Sequence, residues 1–173
     1  MGMVGDLLER AARATPAAVE ARGSGWWLRH TDNDTWWSGA VLAHGAADVL
    51  DERIQTAESF YAEHDADARF QICPDCPDGL DLSLAERGYL RQSAISLLTS
   101  VAGPQALPQP RSGMTVHVSA TPVREWLEVL LATSESGTDV ERETRLLDRV
   151  DRPQAYVVVR ADGEPVGIGR AVA

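Results

Sequence analysis

The sequence predicts a mixed α+β fold in which a mostly antiparallel sheet is flanked by helices. Three observations lead to this prediction. Segments with helical periodicity alternate with short runs that have the alternating pattern of strands. Two pairs of such runs flank turn-forming residues, as β-hairpins do. A proline- and glycine-rich segment, residues 103–113, separates two patterned regions.

The first region, residues 1–102, is predicted to begin with two helices and a hairpin. Apolar residues recur at helical spacing over 7–12, and Thr15 followed by Pro16 has the form of an N-cap and first turn. This second, short helix is expected to reach about Arg22. Strands are then predicted at 26–30 and 36–44, because turn-forming residues separate them.

The rest of this region is predicted to alternate helices and strands. Asp48 can cap a helix whose apolar stripe runs from Leu50 to Tyr61. A strand at 69–72 and a helix at 80–87 are expected to follow. Alternation of apolar and polar residues predicts another strand at 95–101.

The second region, residues 114–173, is predicted to contain a strand, two helices and a hairpin. The strand covers 115–119, and the first helix follows Thr121-Pro122 with a complete apolar stripe. Thr138 and Glu141 have capping-box spacing at the start of the second helix. The hairpin strands, 155–160 and 166–172, flank the turn signature Asp162-Gly163. The last strand lacks a covering neighbour, so we expect another subunit to pair with it or the gene to continue beyond Ala173.

Composition and charge narrow the range of functions. The 173 residues carry 26 acidic and 16 basic side chains, all of the latter arginine, for a net charge of −10. Most of this charge lies in residues 1–102, which have sixteen acidic and eight arginine side chains. Such acidity disfavours binding to nucleic acids or anionic membranes. No apolar run approaches the ~18 residues of a transmembrane helix, and charges in the first twenty residues exclude a signal peptide. We therefore expect a cytoplasmic protein.

Several motifs, taken in order, resemble the GNAT superfamily of N-acetyltransferases. The hairpin sequence YVVVRADGEPVGIGRAV, after a strand and two helices, is similar to the opening of that fold. The segments GWWLRH, AESFYAEHDADARFQICPD and LAERGYLRQSAISLLT resemble a subgroup with a degenerate first half. The resemblance implies a degenerate unit at 1–102, a linker at 103–113 and the first half of a second unit at 114–173. It also implies acetyl transfer from acetyl-CoA to a small-molecule or peptide amine.

The resemblance does not extend to a complete cofactor site. Members of the superfamily hold the acetyl-CoA pyrophosphate with an Arg/Gln-x-x-Gly-x-Gly/Ala loop between a strand and a helix. The equivalent junction in the first region, residues 44–48, has one glycine and no arginine or glutamine at that spacing. Residues 167–170 read Gly-Ile-Gly-Arg but lie in a strand pattern. No cofactor-binding residue is assigned, and we expect the chain to be inactive alone. The alternative is a non-catalytic binding or dimerisation module, with a possible homodimer through the uncovered strand edge.

Four of the five tryptophans, in two adjacent pairs, suggest a recognition surface. Because neighbouring residues of a strand face opposite ways, one tryptophan of each pair is expected in the core and the other against solvent, a partner or a ligand. Trp27, Trp36 and Trp37, together with Arg29, are therefore candidate substrate-binding residues. The alternative, which we favour, is a hairpin packed on both faces by helices or a subunit interface.

Cys73 and Cys76 form a C-x-x-C motif. Structural zinc needs four ligands, and the sequence offers no second pair at a suitable spacing, so no metal site is predicted. A thioredoxin-type motif would begin a long helix, whereas Pro77 and Gly79 follow here. The motif therefore favours a loop with two free thiols over a metal or redox role.

No catalytic residue is assigned. The sequence has no G-x-S-x-G motif, and its four histidines lie in unrelated contexts, where surface or strand-end positions are expected. The resemblance implies a general base for the amine and an acid for the thiolate, at positions beyond Ala173. Glu125, Glu128 and Tyr156 lie within the chain, but nothing in the sequence singles them out for either role. Both glutamates are expected on the solvent face of their helix.

Overall fold

The computed structural model describes residues 2–23, 25–31, 38–45, 49–92, 94–100, 111–133 and 140–173. Its elements confirm the predicted mixed α+β class, with five helices and two sheets in the described part of the chain. Two compact units are present. Unit 1 comprises Met1–Leu90 and Glu141–Asp151, and unit 2 comprises Arg91–Val140 and Arg152–Ala173. The predicted domain boundaries and linker stay a prediction, since residues 101–110 lie outside the described residues.

Unit 1 is built on a four-stranded sheet with the order β1-β2-β3-β4. The strands are β1 (Val19–Gly23), β2 (Trp26–His30), β3 (Val41–Ala43) and β4 (Phe70–Gln71). The first three are antiparallel, whereas β4 lies parallel to β3. A parallel pair requires a crossover, which is supplied by helix α2 (Leu50–Ala62).

Helices supply apolar residues to both faces of this sheet. On one face, Trp26 and Leu28 of β2 pack with Ile54, Ala57 and Tyr61 of α2. Helix α3 (Leu80–Glu86) contributes Leu80 and Leu84 to the same cluster. On the other face, Ala12 of helix α1 (Met3–Ala14) joins a cluster with Trp27 and Leu42. Strand β2 is consequently buried along its whole length.

The predicted short helix after Pro16 is wrong, because Val19–Gly23 forms strand β1. The segment pairs with β2 over its full length, from Val19 opposite His30 to Gly23 opposite Trp26. Backbone pairing with a buried neighbouring strand therefore outweighs the local N-cap signal of Thr15 and Pro16.

Two further predictions meet different outcomes. The strand predicted at 95–101 is wrong for the described residues 94–100, which form no strand and expose Ile95 and Leu98. Alternation alone cannot create a strand where no neighbouring strand pairs with it. The helix predicted after Thr138 is confirmed as α5 (Val140–Asp148), which belongs to unit 1 from Glu141 onward, although Thr138 itself lies outside the described residues.

Unit 2 is built on a three-stranded antiparallel sheet with β6 in the centre. The strands are β5 (Met114–Ser119), β6 (Gln154–Ala161) and β7 (Glu164–Val172), and helix α4 (Arg124–Thr133) packs on β6 and β7. The predicted Asp-Gly hairpin is confirmed. Asp162 and Gly163 both have positive φ, 53° and 92°, as a type I′ turn requires.

No helix among the described residues combines the length and the apolar character needed to cross a membrane.

Candidate functional site

Trp27 and Arg29 lie in the interior of unit 1, with 4% and 2% exposure. Trp36 and Trp37, the other candidate substrate-binding residues, lie outside the described residues. The expectation that one tryptophan of each pair faces outward is wrong for Trp26 and Trp27. Both are buried, one on each face of the sheet. Helices on both faces account for this, as in the favoured alternative.

Arg29 contacts the C-terminal end of α1. Its guanidinium donates hydrogen bonds to the backbone carbonyls of Ala12 at 3.3 Å and Thr15 at 2.6 Å. A cation at this end of a helix interacts favourably with the helix dipole. Burial lowers the pKa of Arg29, and the nearby Glu20 carboxylate opposes this effect. The geometry gives Arg29 a structural role in holding α1.

The Trp27 ring is surrounded by charged groups of the protein. Its Nε1 donates to Glu20 Oε2 at 3.0 Å, and Glu20 Oε1 accepts from the backbone N–H of Ala17 at 3.0 Å. The Arg22 guanidinium lies 3.7 Å from the ring centroid, and that of Arg29 lies at 5.2 Å. These contacts use both the face and the polar edge of the ring. The assignment of the four residues to substrate binding stays a prediction.

Two histidines at strand ends are buried. His44 follows β3, is 5% exposed, and places Nδ1 at 3.6 Å from Glu9 Oε1. Its Nε2 has no hydrogen-bond partner among the residues that the structure describes. His30 ends β2 and stacks on His64, with ring centroids 4.8 Å apart.

The junction between β3 and α2 is the strand–loop–helix segment of unit 1 where the GNAT resemblance would place the acetyl-CoA pyrophosphate. Residues 46–48 lie outside the described residues. The N-cap residue Val49 makes no side-chain capping bond, and Asp51 and Glu52 lie in the first turn of α2. Their carboxylates disfavour a pyrophosphate at this helix terminus, although Arg87 pairs with Asp51 at 3.1 Å and offsets part of that charge. The described residues of this junction therefore disfavour the cofactor's pyrophosphate.

The Gly-Ile-Gly-Arg tetrapeptide at 167–170 lies inside strand β7. This position agrees with the strand pattern predicted for it. The backbone of these residues pairs with β6, from Gly167 opposite Val159 to Arg170 opposite Tyr156. The tetrapeptide is therefore extended in a sheet and does not form a phosphate-binding loop.

Three polar residues of unit 2, Gln154, Tyr156 and Arg170, form what we call the hairpin cluster. Gln154 Oε1 accepts the Tyr156 hydroxyl at 2.7 Å and Arg170 Nε at 2.9 Å. Tyr156 is 1% exposed, and its ring meets Trp126 of α4 edge to face at 5.1 Å. Arg170 Nη2 is buried without a hydrogen-bond partner in the described part of the chain. The cluster therefore presents one donor that none of the described residues accepts.

Helix α4 adds an ion pair beside this cluster. Glu125 receives two hydrogen bonds from the Arg160 guanidinium, and both side chains are about two-thirds to three-quarters buried. The expectation of a solvent-facing Glu125 is therefore wrong, because the side chain faces the sheet. Glu128 pairs with Arg124 on the exposed side of the helix, as expected.

Gln154 and Arg170 were not among the candidate residues predicted from the sequence. Polar residues at alternating positions of β6 were a usable signal, since they share one face of the strand. Counting back from the Asp-Gly turn would have paired Tyr156 with Gly169. An irregularity between Val159 and Arg160 shifts the register by one residue and brings Arg170 opposite Tyr156.

No family model and no curated protein matches the chain. Among solved structures, it is similar to a GCN5-related N-acetyltransferase from Kribbella flavida, with a TM-score of 0.61 and 17% sequence identity. The match covers 98% of this chain and 67% of that chain. At this identity the likeness concerns the fold. It supports the GNAT resemblance at that level.

Proposed function

We propose that the chain is part of a GNAT-type N-acetyltransferase and provides the side of the enzyme that holds the amine acceptor. The observation that carries this proposal is the likeness of fold, which extends over 98% of the chain. The motifs of the hairpin in unit 2 support it independently, since they resemble the superfamily at the same place in the order of elements.

The hairpin cluster supports a role in acceptor binding. Arg170 Nη2 is a buried donor that an oxygen atom of a ligand can satisfy. An amine is the acceptor group that the resemblance to the GNAT superfamily implies. We therefore propose an acceptor that combines a primary amine with a nearby carbonyl or carboxylate, as an amino acid or a short peptide does.

Acetyl-CoA is the acetyl donor that the resemblance implies. The acidic first turn of α2 does not fit its pyrophosphate, so we assign no cofactor-binding residue and derive no step through the cofactor. We propose that the cofactor site is incomplete in this chain and that the chain alone does not turn over. A cytoplasmic location also stays a prediction.

Acceptor binding can be tested by thermal unfolding of the chain with a panel of amino acids and short peptides. We expect free peptides to raise Tm and their N-acetylated forms to have no effect. Arg170→Gln should abolish the shift, whereas Arg124→Gln, which changes an arginine with 92% side-chain exposure, should preserve it. Circular dichroism would confirm that both variants fold. The proposal fails if no free amine raises Tm or if the two variants respond alike.

A second candidate is a non-catalytic dimerisation module. It is favoured by the sheet of unit 2, where β7 lies at an edge of the described strand order. The backbone groups along its outer side can pair with a second copy of the strand. Sedimentation velocity tests this candidate. A strictly monomeric chain over a wide concentration range would contradict it, whereas a monomer–dimer equilibrium would support it.

A further inference from the structure

The C-x-x-C motif forms a tight turn in unit 1 that brings its two sulfur atoms together. The backbone N–H of Cys76 donates to the carbonyl of Cys73 at 3.0 Å, which closes a β-turn with Pro74 at its second position. The two Sγ atoms lie 3.8 Å apart. The Cα separation within a β-turn, under about 7 Å, overlaps the range that a disulfide spans, about 4.4–6.8 Å.

The two thiols differ in their surroundings. Cys76 Sγ accepts the Cys73 backbone N–H at 3.3 Å and donates to the Gln71 carbonyl at 3.5 Å. Burial raises the pKa of Cys76 to about 12. Both cysteines are only partly buried, so solvent and small molecules can reach the turn.

The residue between the two cysteines holds the start of α1. Asp75 Oδ2 accepts the backbone N–H of Gly5, the third residue of α1, at 2.6 Å. An N-cap side chain would normally make this bond, but the N-cap residue here is Gly2, which has no side chain. A Cβ at Gly2 would lie 2.0 Å from Asp75 Oδ1. The turn therefore caps α1 from 70 residues away.

We propose that Cys73 and Cys76 are a thiol–disulfide site, oxidised by low-molecular-weight disulfides such as oxidised glutathione, whose closure alters the Asp75 cap on α1. This inference does not depend on the proposed function. Closing the bond requires the sulfurs to approach by nearly half their present separation. Because Asp75 is held between them in a four-residue turn, we expect closure to shift its carboxylate relative to Gly5.

The chemistry proceeds by two exchange steps. The Cys73 thiolate attacks oxidised glutathione, forms a mixed disulfide and releases one glutathione thiolate. The released glutathione thiolate takes the Cys76 proton, and the Cys76 thiolate attacks the Cys73 sulfur and displaces the second glutathione as a thiolate, which is protonated from water. Two protein thiols are oxidised to one disulfide, and one glutathione disulfide is reduced to two thiols. Cys73 is assigned the first attack because the high pKa of Cys76 leaves that sulfur almost entirely protonated.

Helix α1 contributes to the packing of the sheet, so the cap has consequences beyond its own turn. Ala12 packs with Trp27 and Leu42, and its carbonyl accepts from Arg29. We therefore expect a change at the first turn of α1 to alter how readily this helix, which covers β2, unfolds locally.

The test equilibrates the full chain with mixtures of oxidised and reduced glutathione, followed by alkylation and intact-mass measurement. We expect a species that takes up no alkyl group and lies about 2 Da below the reduced chain. Amide exchange measured by NMR should then accelerate about fivefold at Gly5, as expected for a helix that loses an N-cap contact. A chain that keeps two reactive thiols at every ratio, or stops at a mixed disulfide, overturns the proposal.

Matched variants separate the disulfide from its effect on α1. Cys76→Ser should stop at a mixed disulfide on Cys73, with Gly5 exchange close to that of the reduced chain. Asp75→Ala should accelerate Gly5 exchange in the reduced chain, and oxidation should add little to it. If the wild-type disulfide forms while Gly5 exchange stays unchanged, the coupling to α1 is wrong.

Discussion

Replacing Arg29 by methionine is expected to destabilise unit 1, because this arginine joins β2 to the C-terminal end of α1. Methionine has a similar length and is apolar, so it fills most of the same space without leaving an unpaired charge. The change removes the hydrogen bonds to the Ala12 and Thr15 carbonyls. The expected loss is about 2 kcal/mol in the free energy of unfolding.

The magnitude of this loss depends on which hydrogen bonds the Ala12 and Thr15 carbonyls keep in the variant. The Ala12 carbonyl still accepts the Thr15 backbone N–H at 3.2 Å, so its loss is small. The Thr15 carbonyl loses a charged donor at 2.6 Å, which costs about 1–3 kcal/mol when an acceptor is left unsatisfied. Loss of a cation at the helix terminus adds about 0.3–1 kcal/mol. The variant no longer buries a charged guanidinium, and this burial is what lowers the pKa of Arg29. Its removal stabilises the folded state and offsets part of the loss.

Urea unfolding followed by tryptophan fluorescence is a suitable assay, since four of the five tryptophans lie in the first forty residues. Arg22→Met is the matched control. Arg22 is exposed and contacts Trp27 only across the ring face, at 3.7 Å from the centroid. Its loss should cost no more than about 1 kcal/mol. If Arg29→Met costs no more than Arg22→Met, the role of Arg29 in holding α1 is refuted.

Three further predictions concern single side chains. Burial raises the pKa of Tyr61 above its usual value, so the unfolded chain ionises first and stability should fall as pH rises above about 10. In urea titrations at several pH values, Tyr61→Phe should lose less stability at alkaline pH than the wild-type chain. An unchanged dependence of stability on pH would contradict this role of Tyr61. Gly163→Ala should lower the Tm and destabilise unit 2 by about 1 kcal/mol. Open space surrounds the site, so the added methyl group meets no atom and the cost comes from the positive φ alone. An unaltered Tm would contradict the type I′ turn. Trp126→Phe should lower the free energy of unfolding by about 1 kcal/mol, because it removes the Nε1 hydrogen bond to the Gly169 carbonyl and keeps the edge-to-face contact with Tyr156. Equal stability of the two proteins in urea would show that this hydrogen bond contributes nothing.

Sequence patterns correctly predicted the elements that depend on residues close together in the chain. The stripe of α4 and the Asp162-Gly163 turn each depend on residues close together in the chain, and both are confirmed. Strand β1 could not be found in this way, because it exists through its pairing with β2. Its own sequence, with Pro16 nearby, has the local signals of a helix start.

The functional residues were harder to predict than the fold. Arg29 caps a helix that ends fifteen residues earlier, and Asp75 caps the same helix from 70 residues away. Such contacts depend on how elements pack, which spacing in the sequence does not encode. The shifted register that brings Arg170 opposite Tyr156 is a further case, since counting from the turn gives the wrong partner.

Isothermal titration of acetyl-CoA into the 173-residue chain tests the central claim most directly. The claim is that the chain has the GNAT fold, serves the acceptor side and lacks a complete site for the cofactor. We expect no tight binding, because Asp51 and Glu52 occupy the helix turn that would meet the pyrophosphate. Tight 1:1 binding of acetyl-CoA would contradict the claim.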